Sequence, residues 1–412
     1  MDKINIGIIR EGKVPMDKRV PILPEQAKFI KEKYPQVEIF CQSSAIRCVK
    51  DAEYEAAGIK VVENIENCDI LFGVKEVPIK ELIAHKTYFF FSHTIKKQHY
   101  NRNLLLEILK KNIRLIDYET LTDQNNNRII AFGRFAGIVG AYNGLLTYGK
   151  KYDLFELPRA KDSFDLESLK KNFNKILLPP VKILISGGGR VSNGAKEVLI
   201  DVGVKEVSPD DFLHQTFSFP VFTQIRSKDY NVRIDNTSYN SQDFYNNPEL
   251  FTSDFLKFTK ITDIFIAAAY WNPQAPRLFT REDMLQKDFS MKVIADITCD
   301  IQGSIPCTVQ ASTISDPFYD YDPATDMVIP PFTNPEFVTV MAIDNLPGEL
   351  PRDASESFGN QLINNVIPAL IEGDKEGIIK KAIITDGGSL TPRFSYLQDF
   401  VDGERIPKKN AE

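Results

Sequence analysis

Residues 181–202 constrain the fold more than any other stretch. An apolar run, 181–186, meets three consecutive glycines, Gly187-Gly188-Gly189, and a helical pattern then continues to Val202. A strand that is apolar at nearly every position has both faces covered, as in a parallel sheet with helices above and below it. The turn leaving such a strand lies at the carboxyl edge of the sheet, where open α/β folds bind ligands. Glycines there let the backbone approach a pyrophosphate, whose charge is favoured by the helix N-terminus. Arg190 and Val191 continue the motif, but the third glycine of a GxGxxG fingerprint is Ser192, with Gly194 two residues on. A degenerate motif by itself also reads as an ordinary strand–helix turn. Its place at the start of a fresh α/β rhythm points to a dinucleotide site.

The same alternation runs through the rest of the chain. Before this turn, strands are expected at 4–9, 37–40, 69–74, 87–91 and 112–116, with helices at 25–33 (opened by Pro24) and 97–111. A long apolar helix, 135–149, leads to a charged connector, 150–180, that ends in Pro179-Pro180. After the turn, strands are expected at 205–207, 263–269, 292–297 and 338–343, and polar, aromatic residues 209–257 read as an insertion. Pro351 opens a helix to about 371, a short helix follows from Lys375, and the tail after Gly403 is expected to fray. Short strands alternating with helices predict α/β units with parallel sheets. The fold class is therefore α/β, as two Rossmann-like domains with a cleft between them. Residues 1–135 form the first, and 136–347 form the NAD(P)-binding one, with its insertion near 209–257.

Composition narrows the partners. A net charge of −6 with 43% hydrophobic and 26% charged residues describes a folded globular chain and argues against nucleic acid or an anionic membrane. Five cysteines with no CxxC pair fit a reducing compartment and suggest neither a disulfide framework nor a zinc site. Residues 1–15 carry Asp2, Lys3, Arg10 and Glu11, so no signal-peptide core is visible. The apolar stretch 129–146 is broken by Arg134, Asn143 and four glycines, which suits a buried helix packed through small residues and not a membrane span. A cytoplasmic protein acting on small molecules is expected; the sequence leaves its oligomeric state open.

Polar residues at the expected strand ends supply candidate chemistry. In the first unit these are Lys75, His93 and Glu119; in the second, Asp296 and Asp300. A lysine, a histidine and carboxylates on matching edges can form an acid–base cluster, although any one alone is ordinarily structural. Arg19 and Arg128 can bind substrate carboxylates through bidentate pairing or serve as surface ion-pair partners. His85, His99 and His214 sit in polar surroundings and receive no role.

At these residues the sequence resembles the family of alanine dehydrogenase, the transhydrogenase amino-terminal subunit and the lysine-forming saccharopine dehydrogenases. The resemblance rests on Arg10-Glu11 with Arg19-Val20-Pro21, Val74-Lys75-Glu76, residues 86–96, Arg114 to Glu119, Ala131-Phe132-Gly133, Tyr270-Trp271 and Asp344-Asn345-Leu346-Pro347. These look most like the lysine–2-oxoglutarate reductase half of bifunctional aminoadipic semialdehyde synthase, over about residues 4–370. The glutamate-forming half is taken as absent. The resemblance implies reductive condensation of lysine with 2-oxoglutarate to saccharopine using NAD(P)H. It implies Lys75 and His93 as the acid–base pair and Asp300 as an acid beside the nicotinamide. Arg19, Arg128 and Phe132 would bind substrate, Glu76 and Glu119 would tune the lysine and histidine, and Gly187–Gly189, Arg190, Val191, Ser208 and Asp296 would hold the cofactor. It also implies that residues 348–412 complete the first, substrate-binding domain.

The choice of cofactor turns on one departure. NAD-using relatives place an acid at the end of the second cofactor strand, where this chain has Ser208. NADP(H) is therefore favoured over NAD(H), with Arg226 or Arg233 as possible cations for the extra phosphate and Glu206, Asp210 and Asp211 as rival acids. Two other functions compete: an alanine dehydrogenase, and a nucleotide-binding sensor that has lost the chemistry. The context Phe91-Ser92-His93-Thr94 and the insertion favour the saccharopine reading over the first. Retention of all the acid–base residues argues against the second.

Overall fold

The computed structural model describes residues 3–403, so the expected fraying after Gly403 lies outside the described residues. The chain divides into two compact units, residues 1–132 with 351–412, and residues 133–350.

In the first unit, six strands run parallel: β1 (Ile4–Ile8), β2 (Val37–Gln42), β3 (Lys60–Val62), β4 (Ile70–Phe72), β5 (Thr87–Phe90) and β6 (Arg114–Asp117). Their spatial order is β3-β2-β1-β4-β5-β6, so the winding reverses between β1 and β4. Ligands of doubly wound sheets bind at that switch point, outside the carboxyl ends of the strands. Helix α1 (Pro24–Lys33) starts on a proline, whose missing N–H is no loss in a first turn, and buries Ala27 and Ile30 against the sheet. The expected helix 97–111 begins only at Arg102, as α2 (Arg102–Lys110). His93 and Lys97 both adopt left-handed backbone conformations, so one-turn 3₁₀ segments replace its first turns.

The chain returns to this unit after Leu350. A helix from Pro351 runs to Ile371 through a π-helical segment, Leu362–Val366. Its Phe358, Leu362 and Val366 are fully buried in one cluster with Ile6, Ile8, Phe72 and Phe89. An antiparallel hairpin, Ile383–Asp386 with Ser389–Leu390, then extends the β6 edge.

The second unit has the same plan with one exchange. Its strands are β7 (Lys182–Ser186), β8 (Lys205–Glu206), β9 (Val221–Ile225), the separate ribbon β10 (Asn231–Arg233) and β11 (Phe251–Ser253), β12 (Ile264–Ala267), β13 (Val293–Asp296), β14 (Tyr319–Asp322), β15 (Met327–Ile329) and β16 (Val338–Met341). The parallel part is ordered β8-β9-β7-β12-β13-β16, with the hairpin β14–β15 antiparallel at the β16 edge. Both sheets are thus parallel with an antiparallel edge, not purely parallel. The strand that follows the glycine turn and its helix, β8, lies on the outer edge, and β9 takes the place beside β7.

The expected insertion is therefore shorter than 209–257. Its first part contains β9, whose Val221, Phe222, Thr223 and Ile225 are buried in the sheet. What leaves the sheet is the β10–β11 ribbon and the turns around it. Helix α3 (Gly133–Lys151) is buried along most of its length and packs on α4 (Arg190–Val202) through glycines. A Cβ on Gly137 would lie 1.8 Å from the carbonyl oxygen of Val191, and one on Gly194 would lie 2.1 Å from that of Arg134. The two backbones touch, so Gly194 serves the close packing that the degenerate fingerprint left unassigned.

Candidate active site

In the first unit, Lys75 and Glu76 follow β4 and His93 follows β5, all at the carboxyl edge beside the switch point. His93 Nδ1 lies 2.7 Å from Glu76 Oε1, and Lys13 Nζ donates to Glu76 Oε2 at 2.6 Å. Burial alone would raise the Glu76 carboxyl. The hydrogen bonds from His93 and Lys13 outweigh it and hold the group down at about 2. The carboxylate only accepts, so Nδ1 carries the proton between them and Nε2 is left for other partners. The Lys75 ammonium makes no hydrogen bond or ion pair among the described residues. Burial, together with the positive charges of Arg19 and Lys13, pushes it below the usual lysine range.

Two carboxylates absent from the sequence-derived set hold these residues in place. Glu11, buried just after β1, accepts the backbone N–H of Val74 at 2.7 Å and of Lys75 at 2.9 Å. Burial raises its carboxyl to about 8. Asp117, fully buried at the end of β6, accepts from Ser92 N and Oγ and from His93 N through one oxygen, and from Glu119 N through the other. This network fixes the turn in which His93 takes φ of 54°. The signal for both was an acid at the end of an apolar strand.

The arginines differ in kind. Arg19 is 3% exposed, pairs bidentately with Asp17 and lies 4.2 Å from the Phe132 ring centre. Burial would raise Asp17, but Arg19 beside it holds the carboxyl well below the usual range. Arg19 is thus tied into a buried ion pair. Arg128 keeps 39% of its side chain exposed, donates to Ile130 O and reaches Glu119 Oε1 at 3.5 Å. Glu119 also meets Lys96 at 3.2 Å, so it pairs with Lys96 and Arg128, while it is Glu76 that pairs with the His93 ring. Phe132 stacks on Phe358, with ring centres 4.5 Å apart.

In the second unit a cavity of about 760 Å³ opens at the glycine turn, lined by Gly187 to Val191, Arg226 to Lys228 and Trp271, among others. Gly187 has φ of +101°, and a Cβ there would meet Ala268 O at 2.9 Å, so the turn requires glycine. Gly189 faces open space, which leaves its backbone accessible at the N-terminus of the thirteen-residue α4. An exposed glycine backbone at a helix start, in a cavity of this size, fits a pyrophosphate-bearing nucleotide.

Two expected cofactor residues lie elsewhere. Ser208 caps the helix Pro209–His214, where its Oγ accepts from Asp211 N. It follows β8 on the outer edge, because the chain crosses past β7's neighbour position before returning as β9. Asp296 is 1% exposed and does not line the cavity. Its oxygens accept from Thr298, Cys299 and Thr308, and burial raises its carboxyl. Its bonds fix the turn that carries half-buried Asp300.

The family model described as "Alanine dehydrogenase/PNT, N-terminal domain" matches residues 7–139. Mouse alpha-aminoadipic semialdehyde synthase is 31% identical over 97% of this chain and 48% of its own length. The Arabidopsis thaliana protein of that name is 27% identical over 99% of this chain and 42% of its own length. A Schizosaccharomyces pombe saccharopine dehydrogenase [NAD(+), L-lysine-forming] is 25% identical over 87% of this chain and 91% of its own. The chain spans about half the length of the first two relatives. An L-alanine dehydrogenase structure shares the fold at a TM-score of 0.67 and 17% identity, covering 96% of this chain and 100% of that one. The transhydrogenase of Sinorhizobium meliloti does so at 0.59 and 16% identity, covering 94% and 98%. Residues 7–139 thus match the alanine dehydrogenase/PNT N-terminal domain, and 97% of the chain is similar to about half of an alpha-aminoadipic semialdehyde synthase.

Proposed function

We propose that the chain is an oxidoreductase acting on a carbon–nitrogen bond, and that it condenses L-lysine with 2-oxoglutarate and reduces the product to saccharopine. One observation carries the reading: a lysine held below its usual pKa stands in the same unit as a histidine oriented by a carboxylate. In this reaction the lysine ε-amine adds to the 2-oxoglutarate carbonyl, water leaves, and the imine carbon is reduced. A bound reduced nicotinamide supplies the hydride when present. Lys75, neutral part of the time, takes the proton that the attacking amine loses. His93, with Nδ1 anchored on Glu76, delivers a proton from Nε2 to the departing oxygen. Arg128, half-exposed beside Glu119, offers a cation to a dicarboxylate, while the charges of the buried Arg19–Asp17 pair act on Lys75. Asp300 and the glycine turn belong to the nucleotide side of the reaction.

The assay is oxidation of NAD(P)H by the purified chain with 2-oxoglutarate and a panel of amines. Turnover that requires 2-oxoglutarate and lysine together supports the reading. Turnover with pyruvate and ammonia, and none with lysine, assigns alanine dehydrogenase instead.

A further inference from the structure

Resting on the reading of His93 as the proton donor, we propose that the C-terminal segment 392–402 is a strap that holds the His93 loop in its working conformation, with Asp399 as its positioning residue. The loop is strained at both ends. His93 takes φ of 54° and Lys97 φ of 51°, and the residues between them form a single 3₁₀ turn. Left-handed backbone is unfavourable for residues other than glycine, so it persists only where the surroundings over-determine it. At the first end that role falls to Asp117, which accepts from the backbone N–H groups of Ser92 and His93. At the second end it falls to a carboxylate 302 residues further along the chain.

Lys97 Nζ donates to both oxygens of Asp399, each at 2.7 Å, and lies 5.5 Å from the centre of the Tyr396 ring. Where α2 starts, Arg102 donates to the carbonyl oxygens of Phe400 and Val401, both at 2.7 Å. These carbonyls lie in the last turn of the helix Gln398–Asp402, where the helix itself offers them no donor. The strap is anchored in turn. Its Phe394, Leu397 and Phe400 are buried in one cluster with Phe90 of β5 and with Leu105 and Ile108 of α2. Strand β5 ends shortly before His93 and α2 begins where the loop ends, so the strap packs on both supports of the loop and fastens its middle. The plain alternative is a surface ion pair, since the Lys97 and Asp399 side chains are 23% and 42% exposed, and such a pair adds little to stability. What separates the two readings is the place of action. Glu76 fixes the His93 ring at Nδ1, but the backbone that carries the ring is set by the turn that Lys97 closes.

Charge reversal in the full chain tests the strap. Asp399→Lys sets two cations against each other, and kcat with lysine and 2-oxoglutarate is expected to fall about three- to ten-fold, as fewer chains hold a competent loop. KM should stay within about two-fold and the melting temperature within about two degrees, a split that general destabilisation would not give. Adding Lys97→Glu re-forms the pair with its sign reversed and should restore kcat to within about two-fold of wild type. Wild-type kcat in Asp399→Lys, or no recovery in the double variant, overturns the proposal. A second readout needs no turnover. The chain has four histidines, so the His93 ring can be followed by NMR through its Cε1–H resonance, assigned with His93→Gln. That resonance should shift or broaden in Asp399→Lys and return in the double variant, with those of His85 and His214 unmoved. A His93 resonance that does not respond sinks the strap. If wild type turns nothing over while the resonance behaves as described, the strap stands and the proposed reaction is removed.

Discussion

Lys75 and Glu76 are adjacent in sequence and opposite in electrostatics. Lys75 is penalised by burial and by two neighbouring cations, Arg19 and Lys13. Replacing it by methionine removes a charge the fold holds at a cost, so Lys75→Met should lower turnover by at least ~10²-fold yet raise the melting temperature by a few degrees. The sign follows from its lowered folded-state pKa. The penalty is fully present below that value and vanishes as pH rises towards 10.5, the unshifted lysine value, so the stabilisation should shrink on the alkaline side. A variant that melts below wild type at neutral pH would contradict this. Glu76 behaves in reverse. Its folded pKa of about 2 lies below the ordinary 4.5, so its contribution is complete above 4.5 and is lost as pH falls towards 2. Glu76→Gln should cost roughly 2 kcal/mol at neutral pH, as for hydrogen bonds to a charged group. The gap from wild type should close across that acid window in urea titrations.

At the scale of elements, the contact of α3 with α4 is the most demanding in the second unit. A methyl group on Gly137 meets a backbone carbonyl and not a side chain that can rotate away, so the helices must separate. Overpacking typically costs about 1–3 kcal/mol, and Gly137→Ala is expected at or above the top of that range. Gly144→Ala is the control on the same helix, since its Cβ would meet only the Ala295 methyl at 3.1 Å. Urea midpoints of the two variants check this; equal midpoints would mean that the helices slide apart freely. The same contact places the α4 N-terminus, so Gly137→Ala should also weaken nucleotide binding.

At the scale of the whole molecule, continuity separates the two units. Residues 133–350 are one uninterrupted segment, whereas the other unit needs both ends of the chain. Phe358, Leu362 and Val366 fill the core over β1 and β4, and the hairpin Ile383–Asp386 with Ser389–Leu390 covers the β6 edge. Residues 133–350 expressed alone should therefore fold and melt cooperatively. Residues 1–132 alone should expose an apolar sheet face and an open edge, and aggregate. Dispersed amide spectra for the first fragment and not for the second would be the expected result.

Periodicity and punctuation were enough to read the alternation of strands and helices, the glycine turn at the end of β7, the small-residue packing of α3, and the places of Lys75 and His93 after β4 and β5. These are local matters: an apolar run, a proline or a glycine acts on its own neighbours. Pairings between distant segments were decided only in three dimensions. Sequence order suggests that the strand after α4 lies beside β7, but the sheet places β9 there, and Ser208 follows a strand on the outer edge. A polar, aromatic neighbourhood concealed β9 itself, since five residues carry little period against such a background. Arg19 and Glu119 belong to the same class. In the sequence Arg19 reads as a substrate-carboxylate or surface ion-pair partner and Glu119 as a strand-end acid that tunes the lysine and histidine; in the folded chain Arg19 is buried against Asp17, two residues away, and Glu119 pairs with Lys96 and Arg128. Charge is written in the sequence, but what neutralises it depends on which strand ends meet at one edge of a sheet.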